Sequence, residues 1–205
     1  MPNVWPPSGV LSGFREFFTE FYSTCFRVED DLLRAIAVCL GLEREYLLPL
    51  HSGGENQLRL LRYPAVEEQK LIRREVDRIG AHTDYGNNVG GLEVEDPNEK
   101  GTFTPIPYVH GTIVLNVGDF LQRWSNDVLK STMHRIGAPP LTPATMGSHP
   151  NSEQTEQQSP SPRVIGSRYS MPYFIGANTD ILVDCLPNCY GPERPKRYEP
   201  VWVRD

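Results

Sequence analysis

Four cysteines, Cys25, Cys39, Cys185 and Cys189, are spread through the 205 residues without a single Cys-x-x-Cys pair. A chain of this length builds a core without disulfides, so these read as reduced thiols, and a cytoplasmic location is expected. Long apolar runs are also missing. The most apolar stretch, Leu32 to Leu42, is short and interrupted by Arg34, whereas a bilayer span needs about 18 or more consecutive apolar residues. The opening stretch, with Trp5, Pro6 and Pro7, does not set a charged segment before an apolar one, so no secretory signal is read there. Positive charge is in deficit. The 20 basic against 26 acidic residues give a net charge of −6, which repels phosphate backbones and anionic lipid. Neither nucleic acid nor a membrane is an expected partner, and a monomer is expected. No repeat of fixed period is present, which sets solenoids and propellers aside. The glycines around Asn87 and Asn88 lack both G-x-G-x-x-G and a following Lys-Ser/Thr, so no phosphate cradle is indicated.

What remains is a globular composition, 39% apolar and 10% aromatic, sufficient for one sizeable core. Phe14, Phe17, Phe18, Phe21, Tyr22 and Cys25 recur at helical spacing, and Leu32, Leu33, Ile36, Cys39 and Leu40 resume it before Gly41. This predicts one long helix or two abutting ones, with the stripe as a packing face. After His51-Ser52-Gly53-Gly54 the texture changes to short β-branched or aromatic runs between Gly, Pro and Asn. These are Gln57–Tyr63, Gly91–Val94, Thr102–Tyr108, Gly111–Val117, Leu129–Ile136, Arg168–Phe174 and Ile181–Cys185, and they predict a β-sandwich or jelly roll. A mostly charged helical pattern, Val66–Arg78, reads as a solvated connection. Residues 138–163 hold Pro, Ser, Thr, Gln and Glu but no aromatic residue, the composition of a flexible inserted loop.

Three short patterns can carry chemistry. In His82-Thr83-Asp84, residues i and i+2 of an extended strand point to one side, so an imidazole and a carboxylate reach one metal ion together. Alone the triplet is common by chance, and its bland reading is a surface histidine beside the turn at Tyr85-Gly86. His134 can supply a third ligand from another strand. Two imidazoles and a carboxylate on one face of an octahedron suit iron(II) with open positions, although zinc accepts the same donors. In Arg168-Tyr169-Ser170 the arginine fork and a neighbouring hydroxyl share a face that suits a carboxylate, while the bland reading is a solvated or ion-paired arginine. His51, His110 and His149 adjoin turns or lie in the polar loop, and Trp124 reads as packing.

The order and surroundings of these patterns carry a family resemblance. The sequence resembles the isopenicillin N synthase-like iron/2-oxoglutarate oxygenases from about Arg15 to Pro200. The matching stretches are Ala81–Gly86, Gly90–Val94, Asn116–Asn126, Leu129–Arg135 and Arg168–Phe174. The resemblance implies a double-stranded β-helix, or jelly roll, with flanking helices. Residues 1–56 are then a helical remnant packed on the barrel, and residues 57–205 the jelly-roll domain with its insertion at 138–163. It implies that His82, Asp84 and His134 bind Fe(II), that Arg168 and Ser170 hold the far carboxylate of 2-oxoglutarate, and that Tyr63, before Pro64, lies near this co-substrate. Family chemistry couples conversion of 2-oxoglutarate and O2 into succinate and CO2 to hydroxylation or desaturation of a small metabolite, with ascorbate in support. Only Asn87, Asn88 and Val89 stand where relatives carry an apolar strand, so one core strand is expected to be missing. Two other readings share these residues: an oxidase like isopenicillin N synthase that consumes no 2-oxoglutarate, and a shortened, inactive family member.

Overall fold

The structure, a computed structural model, describes residues 3–7, 9–73, 75, 92–107, 109–136 and 163–204. In chain order the elements begin with α1 (Phe14–Cys39), a 3-10 turn (Leu48–Leu50), β1 (Gln57–Leu58), β2 (Leu61–Tyr63), β3 (Val66–Glu67) and α2 (Glu68–Ile72). They continue with β4 (Leu92–Glu95), β5 (Phe103–Pro105), α3 (Asp119–Trp124), β6 (His134–Ile136), β7 (Val164–Ile165), β8 (Arg168–Ser170), β9 (Tyr173–Phe174), β10 (Leu182–Val183) and β11 (Val201–Trp202). Every ladder among them is antiparallel.

The chain divides into two compact units. The first comprises Met1–Leu58, Phe120–Leu129 and Tyr173–Asp205. Its α1 is one continuous helix of 26 residues, free of Pro and Gly, and the hydroxyls of Thr19, Ser23 and Thr24 donate back to carbonyls four residues earlier. It stops at Gly41, whose φ of 68° an L side chain seldom adopts. The Gly41 N–H donates to the Val38 carbonyl and the Leu42 N–H to the Ala37 carbonyl, which caps the last turn in a Schellman motif. The C-terminal half of α1 and the Leu40 that follows it pack Leu33, Ala37 and Leu40 with Leu47, Trp124 and Leu186, each large side chain stabilising the unit by about 1.5–3 kcal/mol. Along its N-terminal half the aromatic rings stack mainly on one another, Phe17 on Phe21 at 6.1 Å, and Phe17 remains 59% exposed. Asn126, buried at a φ of 51°, ties distant backbone together. Its amide donates to the carbonyls of Cys189 and Pro195 and accepts from the Arg197 N–H. Strand pairs β1–β9 and β10–β11 complete this unit.

The second unit comprises Arg59–Asp119 and Lys130–Pro172. It holds the pairs β2–β8 and β3–β7 and the three-stranded sheet β5–β4–β6. An ion pair between Glu68 and Arg163, reinforced by the Glu68 N–H on the Arg163 carbonyl, lies beside β3 and β7. Apolar burial here is modest: Tyr63, Leu92, Ile136, Ile165 and Pro172 are the buried apolar side chains among the described residues of this unit.

Several strands are shorter than the sequence pattern suggests. Met171 and Pro172 split Arg168–Phe174 into two strands, because Pro172 has no N–H for a ladder; its carbonyl instead accepts the Arg59 N–H at 2.9 Å. Gly111–Val117 forms no strand, and Ile113 and Leu115 of its alternating set lie half exposed. The described part of Val66–Arg78 opens as strand β3 and is helical over Glu68–Ile72. The four cysteines are unbridged. Among the described residues no helix is long and apolar enough to cross a membrane. Residues 138–162 of the inserted segment and the place of the missing strand lie outside the described residues.

Candidate active site

Strand β6 pairs with β4 so that His134 faces Val94 and Ile136 faces Leu92. Alternation along the strand turns His134 and Ile136 inward and leaves Arg135 between them to reach Glu93, with Nε at 2.6 Å from the carboxylate. The His134 ring is aimed by its own backbone: Nδ1 lies 2.9 Å from the Thr132 carbonyl oxygen. A carbonyl only accepts, so Nδ1 carries the proton, and in the neutral ring Nε2 keeps its lone pair. That atom is buried and meets no hydrogen-bond partner among the described residues. A neutral imidazole oriented through one nitrogen, with the other bare, is the form that ligates a metal.

Strand β8 repeats the alternation on β2. Arg168 faces Tyr63 and Ser170 faces Leu61, and both Arg168 and Ser170 are buried while Tyr169 between them is exposed. The Arg168 guanidinium carbon lies 5.2 Å from the centre of the Tyr63 ring, a cation–π contact. Arg168 is only 1% exposed, yet it makes no ion pair among the described residues, and its Nε and Nη1 have no hydrogen-bond acceptor there. Burying a cation with open N–H groups is costly. A carboxylate bound by the fork removes that cost with two parallel bonds.

Tyr63, Arg168 and Ser170 thus come together on one strand pair, and His134 lies in the same compact unit on the separate three-stranded sheet. His82 and Asp84 fall outside the described residues. Among those described, no group of three His, Cys, Asp or Glu residues is set to hold a metal ion. The residues that are described fit both expected groups: one bare imidazole nitrogen for iron, and one buried, uncompensated guanidinium for a carboxylate.

Sequence reasoning missed two features. The Thr132 carbonyl that orients His134 is a backbone group and leaves no mark in residue types. Glu29 is 1% exposed and bonded to Asn56 and Tyr173; its signal was available, since Glu29, Leu33 and Ala37 fall four residues apart on the buried stripe of α1.

Residues 54–177, more than half of the chain, match the 2OG-Fe(II) oxygenase superfamily. Among curated relatives, the proline hydroxylase buaE of Petromyces alliaceus is 38% identical over 193 residues, 90% of this chain and 54% of the relative. The 2-oxoglutarate-dependent dioxygenase gloF of Glarea lozoyensis is 35% identical over 201 residues, 94% of this chain and 56% of the relative. A full-length Neurospora crassa protein crystallised with alpha-KG and thymine superposes with a TM-score of 0.80 at 34% identity, covering 98% of this chain and 57% of that one. The chain belongs to the 2OG-Fe(II) oxygenase superfamily, whose norm is Fe(II), 2-oxoglutarate and O2, and it has that superfamily's jelly-roll fold. It spans about half the length of the curated relatives it matches.

Proposed function

We propose that this chain carries the metal and co-substrate site of an Fe(II)- and 2-oxoglutarate-dependent oxygenase that hydroxylates or desaturates a small organic metabolite. The observation that carries the reading is Arg168, a buried guanidinium with open N–H groups beside Tyr63 and two residues from Ser170 on the same strand face. In this assignment His134, with His82 and Asp84, holds the ferrous ion. Arg168 and Ser170 bind the far carboxylate of 2-oxoglutarate, and Tyr63 stacks on the guanidinium to hold it in register. Iron and 2-oxoglutarate together supply O2 activation, with succinate and CO2 as co-products and ascorbate as supporting reductant. The protein's part is to fix the imidazole tautomer through Thr132, to orient the co-substrate and to keep the site dry. The relative named as a proline hydroxylase and the Neurospora protein solved with thymine support a small-molecule substrate over a macromolecule. A monomer divided into a helical part, 1–56, and a jelly-roll part, 57–205, belongs to the same proposal.

Anaerobic titration with ferrous ion, followed by O2 and 2-oxoglutarate, tests it. One iron per chain and succinate formation that depends on 2-oxoglutarate are expected, and His82→Ala removes the tight iron binding. Iron binding far below one per chain in the unaltered protein sinks the assignment, and O2 uptake without succinate transfers it to the oxidase class.

A further inference from the structure

The first unit holds a cluster of polar groups that the oxygenase reading does not use. Glu29 occupies a position on α1 where helical spacing otherwise buries Leu33 and Ala37, and it is as buried as they are. Its Oε2 accepts from the Tyr173 hydroxyl at 2.8 Å and from the Asn56 side-chain amide at 2.5 Å. That amide also donates to the Tyr173 oxygen at 3.0 Å, and the Asn56 side-chain oxygen accepts the Gly176 N–H at 2.8 Å. The Tyr22 hydroxyl donates to the Asn56 carbonyl at 3.2 Å, and its ring meets that of Tyr173 edge-on at 5.6 Å. One carboxyl therefore links α1 both to the residue before β1 and to β9.

The titratable groups around this carboxyl are acids, phenols or a thiol: Tyr22, Cys25 and Asp30 on α1, Glu55 ahead of β1, and Tyr173 on β9. Glu29 has no ion pair with a Lys, Arg or His among the described residues. A buried carboxylate without a cation is costly, and the neutral acid is the form such a site tolerates. Two donated hydrogen bonds favour the charge, but burial outweighs them, Asp30 adds repulsion, and the group is pushed up to about 7 from an ordinary 4.5.

We propose that the Glu29–Asn56–Tyr173 cluster is a proton-dependent latch, in which the neutral carboxyl group holds α1 to the β1–β9 strand pair and loss of its proton loosens that hold. The sign follows from linkage: an acid whose proton is held more tightly in the folded chain stabilises the fold fully below the ordinary glutamate range. The contribution is lost as pH rises through the folded value near 7.

The test uses the full chain and two readouts. Infrared difference spectra record the carboxylic acid band, and amide hydrogen exchange, corrected for intrinsic pH dependence, records the protection of α1. Between roughly pH 5 and pH 8.5 the unaltered protein is expected to lose the acid band and at least about tenfold of the protection. Glu29→Gln, which keeps the shape and cannot titrate, lacks both changes. Equal loss of protection in Glu29→Gln overturns the latch. Should that variant not fold, Tyr173→Phe decides instead, because removal of the donor must shift the acid band; a band that ignores Tyr173→Phe, or is absent near pH 5, overturns it as well.

Discussion

Replacing Arg168 by methionine separates a binding cation from a structural one. The side chain is 1% exposed and two of its nitrogens, Nε and Nη1, lack an acceptor among the described residues, so the ligand-free fold carries a desolvation cost of about 1–3 kcal/mol for each. Methionine keeps most of the volume and removes that cost, while forfeiting about 0.5–2 kcal/mol of cation–π contact with Tyr63. The net expectation is a ligand-free stability unchanged or raised by up to about 4 kcal/mol, in line with other buried charges replaced by apolar residues of similar size. Binding goes the other way. Two charge-assisted bonds at about 1.5–3 kcal/mol each are lost, which weakens 2-oxoglutarate about 10²–10⁴-fold. Arg168→Lys keeps the charge but not the fork and weakens it by at least about tenfold. Chemical unfolding of the ligand-free chain and calorimetric titration with 2-oxoglutarate under anaerobic ferrous loading give the two quantities. A methionine variant that unfolds easily yet binds 2-oxoglutarate with unaltered affinity refutes the reasoning, since Arg168 would then be a stabilising residue and not a ligand.

Three further outcomes are expected. His134→Gln removes the bare Nε2 and lowers iron affinity by more than the roughly 10–100-fold that loss of an outer partner costs, as read by anaerobic ferrous titration; full occupancy rules His134 out as a ligand. Burial holds His51 down to about 4, below its ordinary 6.5, so its neutral form stabilises the fold above pH 6.5 and that contribution, at most about 3 kcal/mol, disappears as pH falls toward 4. Unfolding free energies of the unaltered protein and His51→Gln, compared pH by pH, isolate this limb from the opposite limb of Glu29; parallel curves contradict it. At Gly176 a Cβ would stand 2.6 Å from the Glu55 carbonyl oxygen, so Gly176→Ala displaces backbone and costs about 1–3 kcal/mol in thermal unfolding, whereas an unchanged midpoint contradicts the close approach.

How far the sequence reveals the molecule depends on the scale at which each feature is specified. Helix α1 was legible because its determinants are local: a periodic stripe, no proline, and Gly41 at the end. The inward turn of Arg168 and Ser170 was legible for the same reason, since strand alternation allows few other arrangements. Gly111–Val117 misled because alternating Ile113 and Leu115 imitate a strand while no ladder among the described residues claims the segment. Pro172 divides a run whose composition reads as continuous, a reminder that a missing donor outweighs β propensity. The pairing of Tyr63 with Arg168 lies beyond local pattern altogether: it joins residues about a hundred positions apart, and only tertiary register creates it.

The interior of the second unit has a consequence for the life of the protein. Its described buried set mixes five apolar side chains with His134, Arg168 and Ser170, so on the proposed assignment part of its cohesion is on loan from what it binds. Saturation at a hundred times Kd adds about 2.7 kcal/mol to a folded state, a large share of a typical domain's stability. Supply of iron and 2-oxoglutarate would then govern how long each molecule survives proteolysis as well as how fast it turns over, and starvation for either would clear the protein from solution before it idled.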